Sequence, residues 1–134
     1  MNAREEVVSS WLLKAERDLK TALWLTRSPD SLLDTAIYHL QQAGEKAVKG
    51  FLVFHDVPFP KIHDIAVLVT AAAQVEPEFS NYLDTAELLT PYVAIFRYPD
   101  EILEPTPEEF EEALRAAQEL YTFVLSKLPA ASHP

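Results

Sequence analysis

The chain has no cysteine and only two glycines among its 134 residues. Without a thiol there is no disulfide frame, no thiolate metal site and no cysteine nucleophile. With glycine confined to Gly44 and Gly50, no glycine-rich loop is available to cradle a phosphate. No apolar run approaches the roughly 18 residues that a bilayer-spanning helix needs. The opening residues, MNAREEVVSSW, place acids where a secretory leader would be basic, and no apolar stretch follows them. A cytoplasmic protein with no membrane segment is the expectation. Basic residues are scarce in one half only. Up to Lys61 eight acids balance eight bases; from Ile62 onward thirteen acids face only Arg97, Arg115 and Lys127, and this half carries the whole net charge of −10. A broad basic face for duplex DNA is therefore not expected, because neutralising phosphates takes clustered Lys and Arg. A local basic groove built from the first half stays open.

What is present reads as helix throughout. From about Glu6 to Thr26, Val7, Val8, Trp11, Leu12, Ala15, Leu19, Ala22 and Leu23 recur at the three-and-four spacing of one amphipathic face. Ser28-Pro29-Asp30-Ser31 breaks this helix, and Asp30 or Ser31 is placed to cap a second running from about Leu32 to His55. Val57-Pro58-Phe59-Pro60 then forces an extended connection. His63-Asp64 opens a short third helix over Ile65 to about Val75, and a fourth runs from about Glu78 to Tyr98, either kinked at Pro91 or divided there with Thr90 as a new cap. Thr106-Pro107-Glu108-Glu109 combines an N-cap, a proline in the first turn and a capping-box glutamate for a last helix ending near Lys127. No strand pattern, repeat or low-complexity segment competes. The expected fold is all-α: an up-and-down antiparallel bundle of four long helices plus a short one, with residues 1–128 as a single domain and 129–134 as a flexible tail.

Both glycines fall inside the second helix, in YHLQQAGEKAVKG, where each costs about 1 kcal/mol relative to alanine. Winding the helix at 100° per residue puts them on or beside an apolar side with Ala36, Ala43 and Ala47. Small residues there let a neighbouring helix come close, so close packing is the expected reason for them. The opposite side carries Tyr38, Gln42, Glu45, Lys46 and Lys49, with His39 at the border. Two readings of that side stand together. It is a solvated face with a favourable Glu45–Lys49 pair, or it lines a groove where His39, Lys46 and Lys49 meet anionic ligand groups.

The order of YHLQQAGEKAVKGFL, KIHDIAVL and YVAIFRYPD, framed by WLLKAERDLKTA and EEALRAAQELYTFV, resembles a small prokaryotic HEPN-domain protein over roughly residues 6 to 128. The resemblance implies a helical bundle that forms homodimers and pairs with a minimal nucleotidyltransferase, often as a toxin–antitoxin module. It also implies that many relatives are metal-independent ribonucleases, with an arginine followed after four to six residues by a histidine. Such a histidine would move protons at the attacking 2′-hydroxyl or the leaving oxygen, while the arginine stabilises the phosphorane. Arg97 takes the arginine position here, but the matching positions hold Ile102, Leu103 and Glu104.

That departure favours a non-catalytic binding module, homodimeric and paired with a nucleotidyltransferase, that holds a nucleotide or RNA in a cleft near Arg97. The alternative is an RNA-cleaving toxin with a divergent site, for which Arg97 is the only catalytic candidate. Arg97 and Tyr98 would flank the dimer cleft, Arg97 gripping a phosphate and Tyr98 stacking; equally, Arg97 would simply cap a helix C-terminus. His39, Lys46, Lys49 and His63 complete the candidate ligand contacts, although His63 is also placed to fix its loop by hydrogen bonding. No metal or other cofactor is expected, since His63-Asp64 alone makes no metal site.

Overall fold

The computed structural model describes residues 2–99 and 103–134. It contains five α-helices and, among the described residues, no strand: α1 (Ala3–Leu25), α2 (Leu33–Phe54), α3 (Ile65–Ala73), α4 (Leu83–Leu89) and α5 (Pro107–Ser126). The all-α bundle is the fold the periodicity predicts. Asn2 caps α1 by accepting from the Glu5 N–H at 2.8 Å. The Asp64 carboxylate does the same for α3 through the Ala66 and Val67 N–H groups. At α5 the capping box is complete, with both Thr106–Glu109 bonds at 3.0 Å and Pro107 in the first turn.

Three local expectations give way. Neither Asp30 nor Ser31 caps α2; Leu32 holds that position without a side-chain bond. The turn closes instead on Ser28, whose carbonyl accepts the Ser31 N–H and whose hydroxyl accepts the Asp30 N–H. This closure turns Ser31 into the left-handed region at φ 47°. The fourth helix is divided at Thr90-Pro91 rather than kinked, and it is shorter than expected: a 3-10 turn (Pro77–Tyr82), α4 and a second 3-10 turn (Thr90–Val93) take its place. Pro91 has no N–H to continue the ladder. Thr90 is committed locally as well, donating to the Ala86 carbonyl at 2.8 Å and accepting the Ile65 N–H at 3.1 Å. The tail, expected to be loose, is docked: Ala130–Ser132 form a 3-10 turn against α1, Ser132 is buried, and His133 Nε2 donates to the Leu125 and Leu128 carbonyls. Among the described residues no helix is long and apolar enough to cross a membrane.

α2 sits at the centre, packed by α1, α3 and α5. From Gln41 to Leu52 every residue except Lys46 is buried. Both glycines lie where a neighbouring element comes close, as the small-residue argument requires. A Cβ on Gly44 would lie 3.1 Å from Leu89 Cδ1 and 3.3 Å from Ile65 Cδ1, while one on Gly50 would lie 3.3 Å from Trp11 Cβ. These differ in kind. The Leu89 and Ile65 methyls end flexible side chains, but Trp11 Cβ is fixed to the α1 backbone. Gly44→Ala should therefore stay within about 0.5 kcal/mol of the parent, crowding offsetting the gain in helix propensity, whereas Gly50→Ala should lose about 1 kcal/mol by forcing α1 away. Urea unfolding of the two variants checks this; equal effects, or a stabilised Gly50→Ala, would contradict it.

Candidate functional site

The polar side of α2 is not solvated. α1 and the 55–64 connection cover it, so the solvated-face reading fails and the groove reading has to be divided. Glu45, only 4% exposed, has three partners: Lys49 Nζ at 3.0 Å, His63 Nδ1 at 2.8 Å and Gln41 Nε2 at 3.2 Å. Gln41 also donates to the His63 carbonyl at 2.9 Å and accepts from Gln42 at 2.7 Å. The Lys49 ammonium lies over the Trp11 and Phe59 rings at 5.9 and 5.6 Å, where cation–π attraction stands in for lost water. An ionised carboxylate only accepts, so His63 Nδ1 carries the proton toward Glu45. Lys49 and His63 thus hold the Pro58-Pro60 connection onto α2; Lys49 is buried beneath it.

A second buried carboxylate, on α1 and bridging two turns of α2, organises the other candidates. Asp18 of α1, 8% exposed, accepts from His39 Nδ1 at 2.8 Å and from Lys46 Nζ at 2.7 Å. This fixes the His39 tautomer and leaves Nε2 as the ring's remaining polar atom. His39 lines a cleft of about 330 Å³ with Asp34, Thr35, Tyr38, Phe96 and Arg97. Across it the Arg97 guanidinium lies 4.1 Å from the Tyr38 ring centroid, and Tyr38 meets His39 edge-on at 5.5 Å. A stacked guanidinium keeps its N–H edge available for a phosphate. Arg97 is not a helix cap: α4 ends at Leu89 and the 3-10 turn after it at Val93. Among the described residues no carboxylate lies within 4.0 Å of its guanidinium.

Arg97 also borders a second cleft of about 230 Å³, shared with Asp34 and Phe96 and walled by Tyr98, Leu103 and Glu104. Tyr98 is 65% exposed there. The structure therefore brings Arg97, His39 and Tyr98 to one region and connects Lys46 to it through Asp18. It places Lys49 and His63 on Glu45 instead. Of the three positions where a motif histidine would stand, Leu103 and Glu104 form part of the second cleft, and Ile102 lies outside the described residues. Asp18, Asp34, Tyr38 and Phe96 were missed as site residues. Asp18 alone left a readable sign, a carboxylate set between Ala15, Leu19 and Ala22 on the apolar stripe of α1.

Comparison with known proteins agrees with this architecture. A family profile described as the HEPN domain matches residues 8–128. A solved structure from Thermus thermophilus, TT1696, is similar at 29% identity with a TM-score of 0.75, covering 92% of this chain and 99% of that one. ST0689, an archaeal HEPN homologue, is similar at 28% identity with a TM-score of 0.69, covering 90% and 96% respectively. No protein of curated function matches the chain.

The division of the polar side into two carboxylate centres has a direct consequence. Lys49→Met leaves Glu45 buried beside only His63 and Gln41 and should cost about 3 kcal/mol. Lys46→Met, at the rim and with His39 still on Asp18, should cost about 1 kcal/mol. Denaturant midpoints of the two variants measure the gap. A Lys49→Met loss no larger than that of Lys46→Met would contradict the assignment.

Proposed function

This chain belongs to the HEPN domain family, and on that premise we propose that it is a non-catalytic binding module. In this reading it acts as a homodimer, pairs with a minimal nucleotidyltransferase in a toxin–antitoxin-type system, and holds a nucleotide or single-stranded RNA in the Arg97 cleft. The observation that carries the ligand is the guanidinium stacked on Tyr38 at 4.1 Å beside a histidine held by a buried carboxylate. Such an arrangement offers a phosphate a fork of donors, and the exposed Tyr98 beside it offers a base an aromatic wall. Support for the nucleotidyltransferase comes from the family resemblance and from the acidity of the second half, which suits a basic protein surface.

A second reading, RNA cleavage, is favoured by one specific feature. His39 stands in the Arg97 cleft although it lies outside the motif spacing. Its Nε2 would take the proton from a ribose 2′-hydroxyl as that oxygen attacks phosphorus. The bond to the 5′-oxygen would break, giving a 2′,3′-cyclic phosphate and, after proton return, a 5′-hydroxyl.

Arg97→Ala should weaken binding of single-stranded oligoadenylate at least about tenfold, the order expected for losing a charge-assisted bidentate contact, with the helical circular dichroism unchanged. A dissociation constant equal to the parent's would remove the ligand assignment. Incubation of the parent with RNA in chelator separates the two readings: the binding module leaves RNA intact. Cleavage that disappears in both Arg97→Ala and His39→Ala would put the second reading first.

A further inference from the structure

From Lys14 to Arg27 the exposed residues of α1 and the turn after it recur every three or four positions, and each charged one is basic: Lys14, Arg17, Lys20 and Arg27. Among the described residues only Lys20 of these four has a carboxylate within 4.0 Å, Glu16 at 2.8 Å. Trp24 stands in the same row, 70% exposed, with the Arg27 guanidinium 5.4 Å from its ring centroid. A chain of net charge −10 thus presents one cationic helix face with an exposed indole in it. Negative charge collects on α5. Glu108, Glu111, Glu112 and Glu119 are exposed there, and Glu112 and Glu119 line an α4–α5 groove of about 210 Å³ with Asp84, Leu88, Arg115 and Ala116. α1 has little contact with α5, and no ion pair among the described residues joins the two faces. Within one chain they stay unmatched.

We propose that the α1 face docks on the α4–α5 groove of a second copy of this chain. One register satisfies the charges. With the helices running the same way and Trp24 seated at Ala116, a rise of about 1.5 Å per residue sets Lys20 level with Glu112, Arg27 with Glu119 and Arg17 beside Glu108. Reversing the direction sets Arg17 level with Phe123, past the last exposed acid of α5. The indole fills the apolar part of the groove at Leu88 and Ala116, and its N–H donates to a carboxylate. Exposed ion pairs are individually weak, so the aromatic side chain anchors the contact. The net charge does not prevent it, because a Debye length of about 8 Å at physiological salt lets facing charges outweigh distant ones. The contact is heterologous and repeats head to tail. Two α1 faces on a two-fold axis would set like charges together, so this contact is separate from the homodimer and independent of the Arg97 ligand. A basic protein partner would compete for the same acids.

Sedimentation velocity on the full chain reads the contact. At about 50 mM salt the sedimentation coefficient should rise with concentration past that of a dimer, and at about 500 mM it should not. Arg17→Gln, Lys20→Gln and Trp24→Ser together disable the α1 face; Glu112→Gln with Glu119→Gln disables the groove. All five positions are exposed, so the helical circular dichroism should stay that of the parent. Neither variant should associate in this way alone, but each keeps the face the other has lost. Mixed, they should bind each other at least about tenfold more tightly than either binds itself, and the emission of the remaining Trp24 should move to the blue as its ring is covered. A parent whose sedimentation ignores salt and concentration would overturn the proposal, as would variants that bind each other no better than themselves. So would an unassociated parent that binds heparin through Arg17 and Lys20, which would give the face to a polyanion.

Discussion

A helix enclosed on every side can keep polar side chains only if each finds a partner within the protein. α2 is such a helix between Gln41 and Leu52, where Lys46 alone escapes full burial. An uncompensated buried carboxylate is worth several kcal/mol of instability. Glu45 is consequently surrounded by Lys49, His63 and Gln41, and Asp18 by His39 and Lys46. The same enclosure explains the glycines. α1 comes so near α2 at Gly50 that a methyl group would press on Trp11 Cβ, and the Lys49 ammonium beside it is covered by Trp11 and Phe59. Close packing and polar pairing are two effects of one constraint.

The constraint also locates the functional surface. α2 reaches open space near its N-terminal end, at Asp34, Thr35, Tyr38 and His39. The chain leaving α4 supplies Phe96 and Arg97 at that end because Pro91 stops the helical ladder before they are reached. Had the fourth helix continued to Tyr98, Arg97 would have been a helix-terminal cation; freed from it, the guanidinium lies on Tyr38. Asp18 connects this surface to the scaffold, since the carboxylate that holds His39 also holds Lys46 across the α1–α2 contact. Displacing α1 would therefore disturb the cleft without touching any residue that lines it.

Much of the fold was legible because its signals are local. The three-and-four spacing of α1, the capping box at Thr106 and the Asp64 cap each act within a few residues of chain. The need for small residues at Gly44 and Gly50 was legible too, although which neighbours approach them was not. What escaped depended on contacts distant in sequence. Glu45 and Lys49 read either as a pair on a solvated face or as part of a groove, and nothing along α2 announces that Trp11 and Phe59 will cover the lysine. Arg97 was recognisable as a candidate, but its partner Tyr38 lies far away along the chain and meets it only because the fourth helix breaks. Ser31 was misjudged for a smaller reason, since Ser28 competes for the same turn.

The central claim is that α2 is scaffold through its buried middle and a binding surface at its N-terminal end. Titrating ¹⁵N-labelled protein with a short oligoadenylate and following amide chemical shifts tests this residue by residue. The account predicts perturbations concentrated at residues 34–39 and 96–98, with Glu45, Lys49 and His63 essentially still. Shifts centred on Glu45 and His63, or on the exposed Glu108, Glu111, Glu112 and Glu119 of α5, would contradict it.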